Sequence, residues 1–157
     1  WLSAAVLLIQ IPLGFYLVDL DFSEKRLNFE SIHVILGLSL FYLTVLRLAY
    51  KLINPTPSLR NNIFPGQKLI AKLNHIFLYI SVLTITISGA LKKLFNGEIL
   101  DVFFFDLEIK DSFELAELFY NIHIFGNYTL ITLISLHILA IIVHKIIFKE
   151  NLLKRIL

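Results

Sequence analysis

The sequence contains no cysteine and no methionine among its 157 residues, and it has only four prolines. Without cysteine there is no disulfide, no thiolate metal site and no cysteine nucleophile. Methionine is missing even at position 1, and the chain begins inside an apolar run at Trp1. We therefore expect residues 1–157 to form a single domain that has lost its N-terminal end from a longer gene product.

Charged side chains are scarce as well, since they make up 17% of the chain against 57% hydrophobic residues. Soluble domains average about 25% charged and about 45–50% apolar residues. A chain this short has too little interior to bury such an apolar excess in one water-soluble core. The excess must face lipid, which argues against a soluble enzyme, a nucleic-acid-binding module and a disordered chain.

Four apolar stretches are long enough to cross a hydrocarbon core of about 30 Å as helices. They cover approximately residues 1–18, 31–52, 69–91 and 118–148. Runs of this length favour helices over the roughly ten-residue strands of outer-membrane barrels. The sequence therefore predicts an all-α protein, an integral membrane four-helix bundle. Residues 99–107, between the third and fourth stretches, are also too apolar for water, so we expect them to lie along the bilayer or cap the bundle.

The connecting segments differ in the sign of their charge. The first and third connections together carry eleven acidic and five basic side chains. The second connection and the C-terminal segment, with the adjoining helix ends, carry nine basic side chains and one acidic side chain. Because basic short loops stay in the cytoplasm, we predict that both termini are cytoplasmic and that the acidic loops face outward.

All five histidines lie in the predicted membrane helices, namely His33, His75, His123, His137 and His144. Ionisable side chains are costly in hydrocarbon, and they often mark a functional site. A single histidine in such a place could equally bind a neighbouring helix or lie among lipid headgroups. The spacing of the set therefore matters more than any one member.

The spacing of three histidines favours haem. His123 and His137 are 14 residues apart, so they share one face of the fourth helix and are about 21 Å apart along its axis. His33 lies at the outer end of the second helix, level with His123. Two neutral imidazoles from facing helices can supply both axial ligands of a haem iron, whereas zinc requires three or four protein ligands. We predict one haem on His33 and His123, and a deeper one on His137, whose partner is expected just before Trp1.

Three further side chains are candidates near the inner side. Arg47 follows His33 by 14 residues and so shares its helix face at the depth of the deeper haem. It could pair with a propionate of that haem or, equally, lie among the inner lipid headgroups. His75 could contact the same propionates or replace the missing ligand. His144 is seven residues beyond His137 and is a candidate for a quinone headgroup, a proton relay or a simple interfacial position. Gly37 and Gly126 lie on the faces of His33 and His123, where they would admit a flat macrocycle or allow close helix packing.

Together these features resemble the prokaryotic cytochrome b561 family. The resemblance rests on Ile32-His33-Val34, Val45-Leu46-Arg47-Leu48 and Asn54-Pro55-Thr56-Pro57, on Leu73-Asn74-His75 and Ser88-Gly89, and on Asn121-Ile122-His123 through Leu136-His137 to His144. The opening Trp-Leu resembles the residues that follow the family's helix-one histidine. The resemblance therefore covers almost the full chain and places the missing ligand one residue before Trp1.

The resemblance implies two b-type haems in a multi-pass protein of the bacterial inner (plasma) membrane. By position, His33 and His123 would hold the outer haem, and His137 with the upstream residue the inner one. Such a protein would pass electrons between ubiquinone or menaquinone and a donor or acceptor at the outer face, superoxide being one such donor. Lys92 and Lys93 could attract that anion, but eleven outer acids argue against a broad positive surface, and snorkelling lysines explain the pair as well.

Two alternative functions remain open from the sequence. One is a cytochrome b anchor subunit of a hydrogenase or dehydrogenase complex. The other, from a different class, is a small membrane transporter or proton channel that uses the histidines as relays, although no internal repeat is evident. A homodimer is compatible with either function, and no nucleic-acid partner is expected.

Overall fold

The protein is described here by a computed structural model that covers residues 1–54 and 66–147. Over these residues the chain forms four helices and one short hairpin: α1 (Leu2–Asp19), α2 (Glu24–Ile53), α3 (Gln67–Phe95), β1 (Leu100–Asp101), β2 (Asp106–Leu107) and α4 (Phe113–Ile146). Every helix is long and apolar enough to cross a membrane. The predicted all-α, four-helix membrane bundle is thus confirmed. Residues 55–57 of the proline motif and residue 148 lie outside the described part.

Helices α2 and α4 begin well before the apolar stretches that identified them. The Ser23 hydroxyl accepts a hydrogen bond from the backbone N–H of Arg26, at 3.3 Å, and so caps the start of α2. The Ser112 hydroxyl accepts from the N–H of Leu115, at 3.5 Å, at the start of α4. Such caps satisfy backbone donors that would otherwise lack a partner, so these helices extend past the apolar stretches into the acidic connections.

The helices pack in sequence order around a shared interior. α2 packs against both α1 and α3, and α4 packs most extensively against α3. Leu40, Val82 and Leu130, from α2, α3 and α4, form a buried cluster near the middle of the bundle. α1 and α4 approach each other at Phe15 and Tyr128, whose ring centroids are 6.0 Å apart. Most large apolar side chains point outward, as expected where lipid replaces water.

The outer hairpin packs onto the bundle. Leu100 and Val102 are 2% and 7% exposed and pack in one cluster with Leu38 and Leu94. The Tyr42 hydroxyl donates a hydrogen bond to the carbonyl oxygen of Val102, at 3.1 Å. The expectation that this apolar segment caps the bundle is confirmed.

Replacing Tyr42 with phenylalanine should weaken the attachment of this hairpin. Loss of one hydrogen bond costs about 1 kcal/mol of unfolding free energy, because the Val102 carbonyl loses its donor. The measurement is the denaturation midpoint of the detergent-purified protein. Tyr50→Phe is the matched control, since the Tyr50 side chain is 69% exposed. Equal midpoints for the two variants would show that the bond contributes nothing.

Candidate functional site

A cavity of about 380 Å³ lies between the helices in the half of the bundle nearer the hairpin, which the loop charges predict to be the outer half. All four helices contribute to its wall, and Leu100 of the hairpin closes it on one side. Its volume falls in the range of small-molecule and cofactor sites, about 300–1,000 Å³. The surface of its wall is mainly apolar, and its polar side chains include His33 and His123.

His33 of α2 and His123 of α4 face each other across this cavity. Their ring centroids are 6.2 Å apart, and the ring planes are inclined by 71°. A metal–imidazole bond is about 2.0 Å long, and the ring nitrogen lies about 1.1 Å from the ring centre. Two imidazoles on opposite sides of one metal ion therefore have centroids about 6 Å apart. The observed spacing matches this value.

The protonation of His123 also suits a metal ligand. Its Nδ1 lies 2.8 Å from the backbone carbonyl oxygen of Ile85 on α3. A carbonyl can only accept, so Nδ1 carries the hydrogen and donates it, which leaves the Nε2 lone pair available. Metal-binding histidines nearly always donate their other N–H to a carbonyl, a carboxylate or water in this way.

Two glycines make room for the imidazole rings. A Cβ at Gly89 of α3 would lie 3.0 Å from both Cε1 and Nδ1 of His123. A Cβ at Gly14 of α1 would lie 3.2 Å from Cε1 of His33. The glycines that contact the rings are therefore on the neighbouring helices.

The two glycines singled out in the sequence have other neighbours. Gly37 lines the cavity, and its Cβ position is 3.3 Å from the Gln10 amide nitrogen. Gly126 instead lies against α3, where a Cβ would be 2.9 Å from Cγ1 of Ile85. The sequence shows that each glycine shares a helix face with a histidine, but it does not show which side chain of the opposing helix the glycine contacts.

At the inner level His137 of α4 lies beside His75 of α3. Their ring centroids are 5.2 Å apart, 1.0 Å closer than those of His33 and His123. The guanidinium of Arg47 is close enough to interact electrostatically with both rings. The sequence-predicted residues Arg47, His75 and His137 are thus brought together. The short spacing suits a direct ring contact better than an axial pair, so it leaves room for a ligand of His137 from another position.

His144 is paired with a residue that the sequence analysis missed. The side-chain amide nitrogen of Gln67, at the start of α3, lies 3.1 Å from Nε2 of His144. Because the amide nitrogen can only donate, Nε2 of His144 accepts this bond. Gln67 is 6% exposed. Burial of a polar residue at the first turn of α3 could not be foreseen from the apolar pattern.

Three basic side chains, Arg26, Lys92 and Lys93, line the outer end of the cavity. The Lys92 ammonium is 3.8 Å from the Glu30 carboxylate, and Lys93 pairs with Glu98. Arg26 donates to the backbone carbonyl of Leu20. Both lysines therefore have a carboxylate partner, which lowers the local positive charge.

The cavity fits a haem. Two imidazoles face each other at the spacing required by one ion, one of them with its Nε2 lone pair fixed by a hydrogen bond. Glycines stand where side chains would displace the rings. Apolar walls suit the porphyrin, and the basic side chains at the outer rim suit its carboxylates.

Four membrane-spanning helices with histidines facing each other across an apolar cavity are the architecture of a membrane cytochrome. The chain matches the family described as prokaryotic cytochrome b561 over residues 1–157, and it belongs to this family. It is 27% identical over 161 residues to cytochrome b561 homolog 2 of Escherichia coli (strain K12), an alignment that covers 100% of this chain and 86% of that protein. The resemblance inferred from the sequence is confirmed. The protein is a multi-pass bacterial membrane protein that binds haem b and transfers electrons.

Proposed function

We propose that the protein relays electrons across the inner membrane between a quinone at the cytoplasmic side and a donor or acceptor at the outer face. His33 and His123 would hold an outer haem b, and His137 would hold an inner one. The observation that carries the proposal is the 6.2 Å spacing of His33 and His123 across the cavity. When bound, each haem supplies one-electron oxidation and reduction.

His33 with His123, and His75 with His137, lie at two levels along the bundle, an arrangement that suits an electron relay. His123 and His137 lie on the same helix, about 21 Å apart along its axis. A haem held by both His33 and His123 would supply electron exchange and would not activate oxygen. The apolar wall around His33 and His123 keeps water away from the cofactor.

The inner site uses a different set of residues. His137 provides one ligand there, and its second ligand is expected just before Trp1. Arg47 acts electrostatically on His75 and His137, and its positive charge would compensate a propionate of the inner haem. His75 packs against His137 at 5.2 Å and restricts the orientation of its ring.

Gln67 and His144 are the proposed quinone contacts. Reduction of a quinone consumes two electrons and two protons, so the site needs hydrogen-bonding groups near the inner face. The bond between Gln67 and His144 joins the start of α3 to the last turn of α4, at the end of the bundle where His137 lies. An imidazole held in this way can bind a quinone carbonyl and pass protons to it.

Superoxide is a second candidate electron donor. Two superoxide anions would each lose one electron and leave as oxygen, while one quinone and two protons become one quinol. Arg26, Lys92 and Lys93 at the outer rim of the cavity favour an anion there. The glutamate partners of both lysines weaken this attraction. An anchor role in a dehydrogenase or hydrogenase complex would use the same relay with a protein donor.

Electron transfer through proteoliposomes tests the relay. Vesicles with trapped ferricyanide, an impermeant acceptor, receive quinol from outside, and reduction of the trapped ferricyanide is followed by absorbance. The full-length protein with both haems should speed this reduction at least tenfold over empty vesicles, and His137→Ala should abolish the gain. Gln67→Leu should raise the quinol concentration needed for half-maximal rate. An unchanged rate in His137→Ala would refute the trans-membrane path.

A further inference from the structure

Gln10 is the one carboxamide side chain in α1, and it reaches the backbone of α2 at His33. Its Nε2 donates a hydrogen bond to the carbonyl oxygen of His33, at 2.8 Å. Because that carbonyl can only accept, the amide orientation is fixed, with Nε2 toward α2. The amide oxygen Oε1 is therefore left facing other groups.

Two buried polar atoms beside this bond have no hydrogen-bond partner among the described residues. They are Oε1 of Gln10 and Nδ1 of His33. Both residues line the cavity between the helices. The amide oxygen is about 2.2 Å from its nitrogen, so Oε1 lies within about 5 Å of the His33 carbonyl. Nδ1 of His33 also lies against α1, 3.9 Å from the position of a Cβ at Gly14. A buried acceptor and a ring nitrogen that can donate therefore both lie between α1 and α2.

The contrast with His123 shows what His33 lacks. His123 donates its Nδ1–H to the Ile85 carbonyl, which fixes its tautomer and ring orientation. Buried polar groups are costly unless they are hydrogen-bonded, and the cost is greater in a membrane. Nδ1–H of His33 needs a hydrogen-bond acceptor for the same purpose. Oε1 of Gln10 is an acceptor that lacks a donor.

We propose that Gln10 is a positioning residue for His33: its Oε1 accepts the Nδ1–H of the ring, directly or through one water, and so directs Nε2 at the iron. The proposal rests on the assignment of His33 as an axial ligand made above. Gly37 permits the arrangement, because its missing Cβ would be 3.3 Å from the Gln10 amide nitrogen. One amide thereby holds both the backbone and the ring of the same histidine.

The arrangement has a measurable electronic consequence. An acceptor on Nδ1–H increases the basicity of the imidazole as a ligand. A more basic ligand stabilises ferric over ferrous iron, so Gln10 lowers the reduction potential of the outer haem. Removal of the acceptor should raise that potential and leave the inner haem unaffected.

The test is an equilibrium redox titration of the full-length protein with both haems, followed in the visible α-band. His33→Ala first identifies the outer component as the one that it removes. Gln10→Met, which keeps the length of the side chain without polar atoms, should raise the midpoint of that component by roughly 59 mV, a tenfold shift in the one-electron equilibrium. Gln10→Glu keeps an acceptor oxygen and should leave the midpoint at or below the wild-type value. Ile9→Leu, an apolar exchange in α1 outside the cavity wall at a side chain that is 58% exposed, is the control and should move neither component.

Each outcome bears on a different claim. An unmoved outer midpoint in Gln10→Met, or an equal rise in Gln10→Met and Gln10→Glu, would overturn the role of Gln10. Gln10→Leu replaces Gln10→Met in the same comparison should the methionine variant not assemble. A His33→Ala protein that keeps both components would instead refute the ligand assignment, whatever Gln10 does.

Discussion

Replacing His123 with alanine is expected to remove one of the two proposed haems from the protein. His123 and His33 face each other at the spacing of two ligands of one ion, so loss of either removes the same cofactor. His33→Ala should give the same difference spectrum as His123→Ala, and the double variant should lose no more. The measurement is haem per chain by the pyridine haemochrome method, together with the reduced-minus-oxidised spectrum.

The other histidines supply the controls. His137→Ala should remove the second haem and spare the first, since it lies about 21 Å away along α4. His75→Ala should keep the outer haem in full. The pairing would be wrong if His33→Ala and His123→Ala removed spectrally different haems.

Gly89→Ala should weaken the outer haem site although it touches no ligand atom of the iron directly. The added methyl group would lie 3.0 Å from two ring atoms of His123, tighter than most real Cβ contacts, so the ring must shift by a few tenths of an ångström. This shift weakens its bond to the Ile85 carbonyl. Loss of such outer-shell support typically costs about 10–100-fold in metal affinity. Haem titration of the apoprotein in detergent measures this loss.

Gly126→Ala is the matched control for this effect. Its methyl group also enters a crowded space, but it meets the Ile85 side chain at 2.9 Å and no imidazole. It should lower the denaturation midpoint and keep most of the haem affinity. If Gly89→Ala and Gly126→Ala lost haem to the same extent, the cause would be separation of α3 and α4. Displacement of the His123 ring would then be ruled out as the cause.

The sequence predicted the membrane architecture because lipid imposes a strong and simple rule on it. Apolar length identifies each span, and all four spans appear as helices. The helix starts at Glu24 and Phe113 were missed, because serine caps and polar turns outside the membrane leave no trace in an apolar pattern. The orientation of the bundle, derived from loop charge, stays a prediction.

The part of the candidate site that lies on a single helix could be predicted from the sequence. Helix geometry alone shows that His123 and His137, which are 14 residues apart, share one face of α4. In the structure His33 faces His123. Contacts between side chains of different helices could not be predicted from the sequence. Gln10 and Gln67 act through residues 23 and 77 positions away, so no local spacing connects them to His33 and His144. The contact of His75 with His137 likewise depends on how α3 packs on α4.

The two facing imidazoles come from two different helices, His33 from α2 and His123 from α4. A cofactor held by both imidazoles would act as a cross-link between these helices, so its binding would be thermodynamically coupled to folding. By mass action, each tenfold excess of free haem over its dissociation constant adds about 1.4 kcal/mol to the stability of the folded chain. Cells starved of haem should therefore accumulate less of this protein, because the uncross-linked bundle unfolds and is degraded more readily.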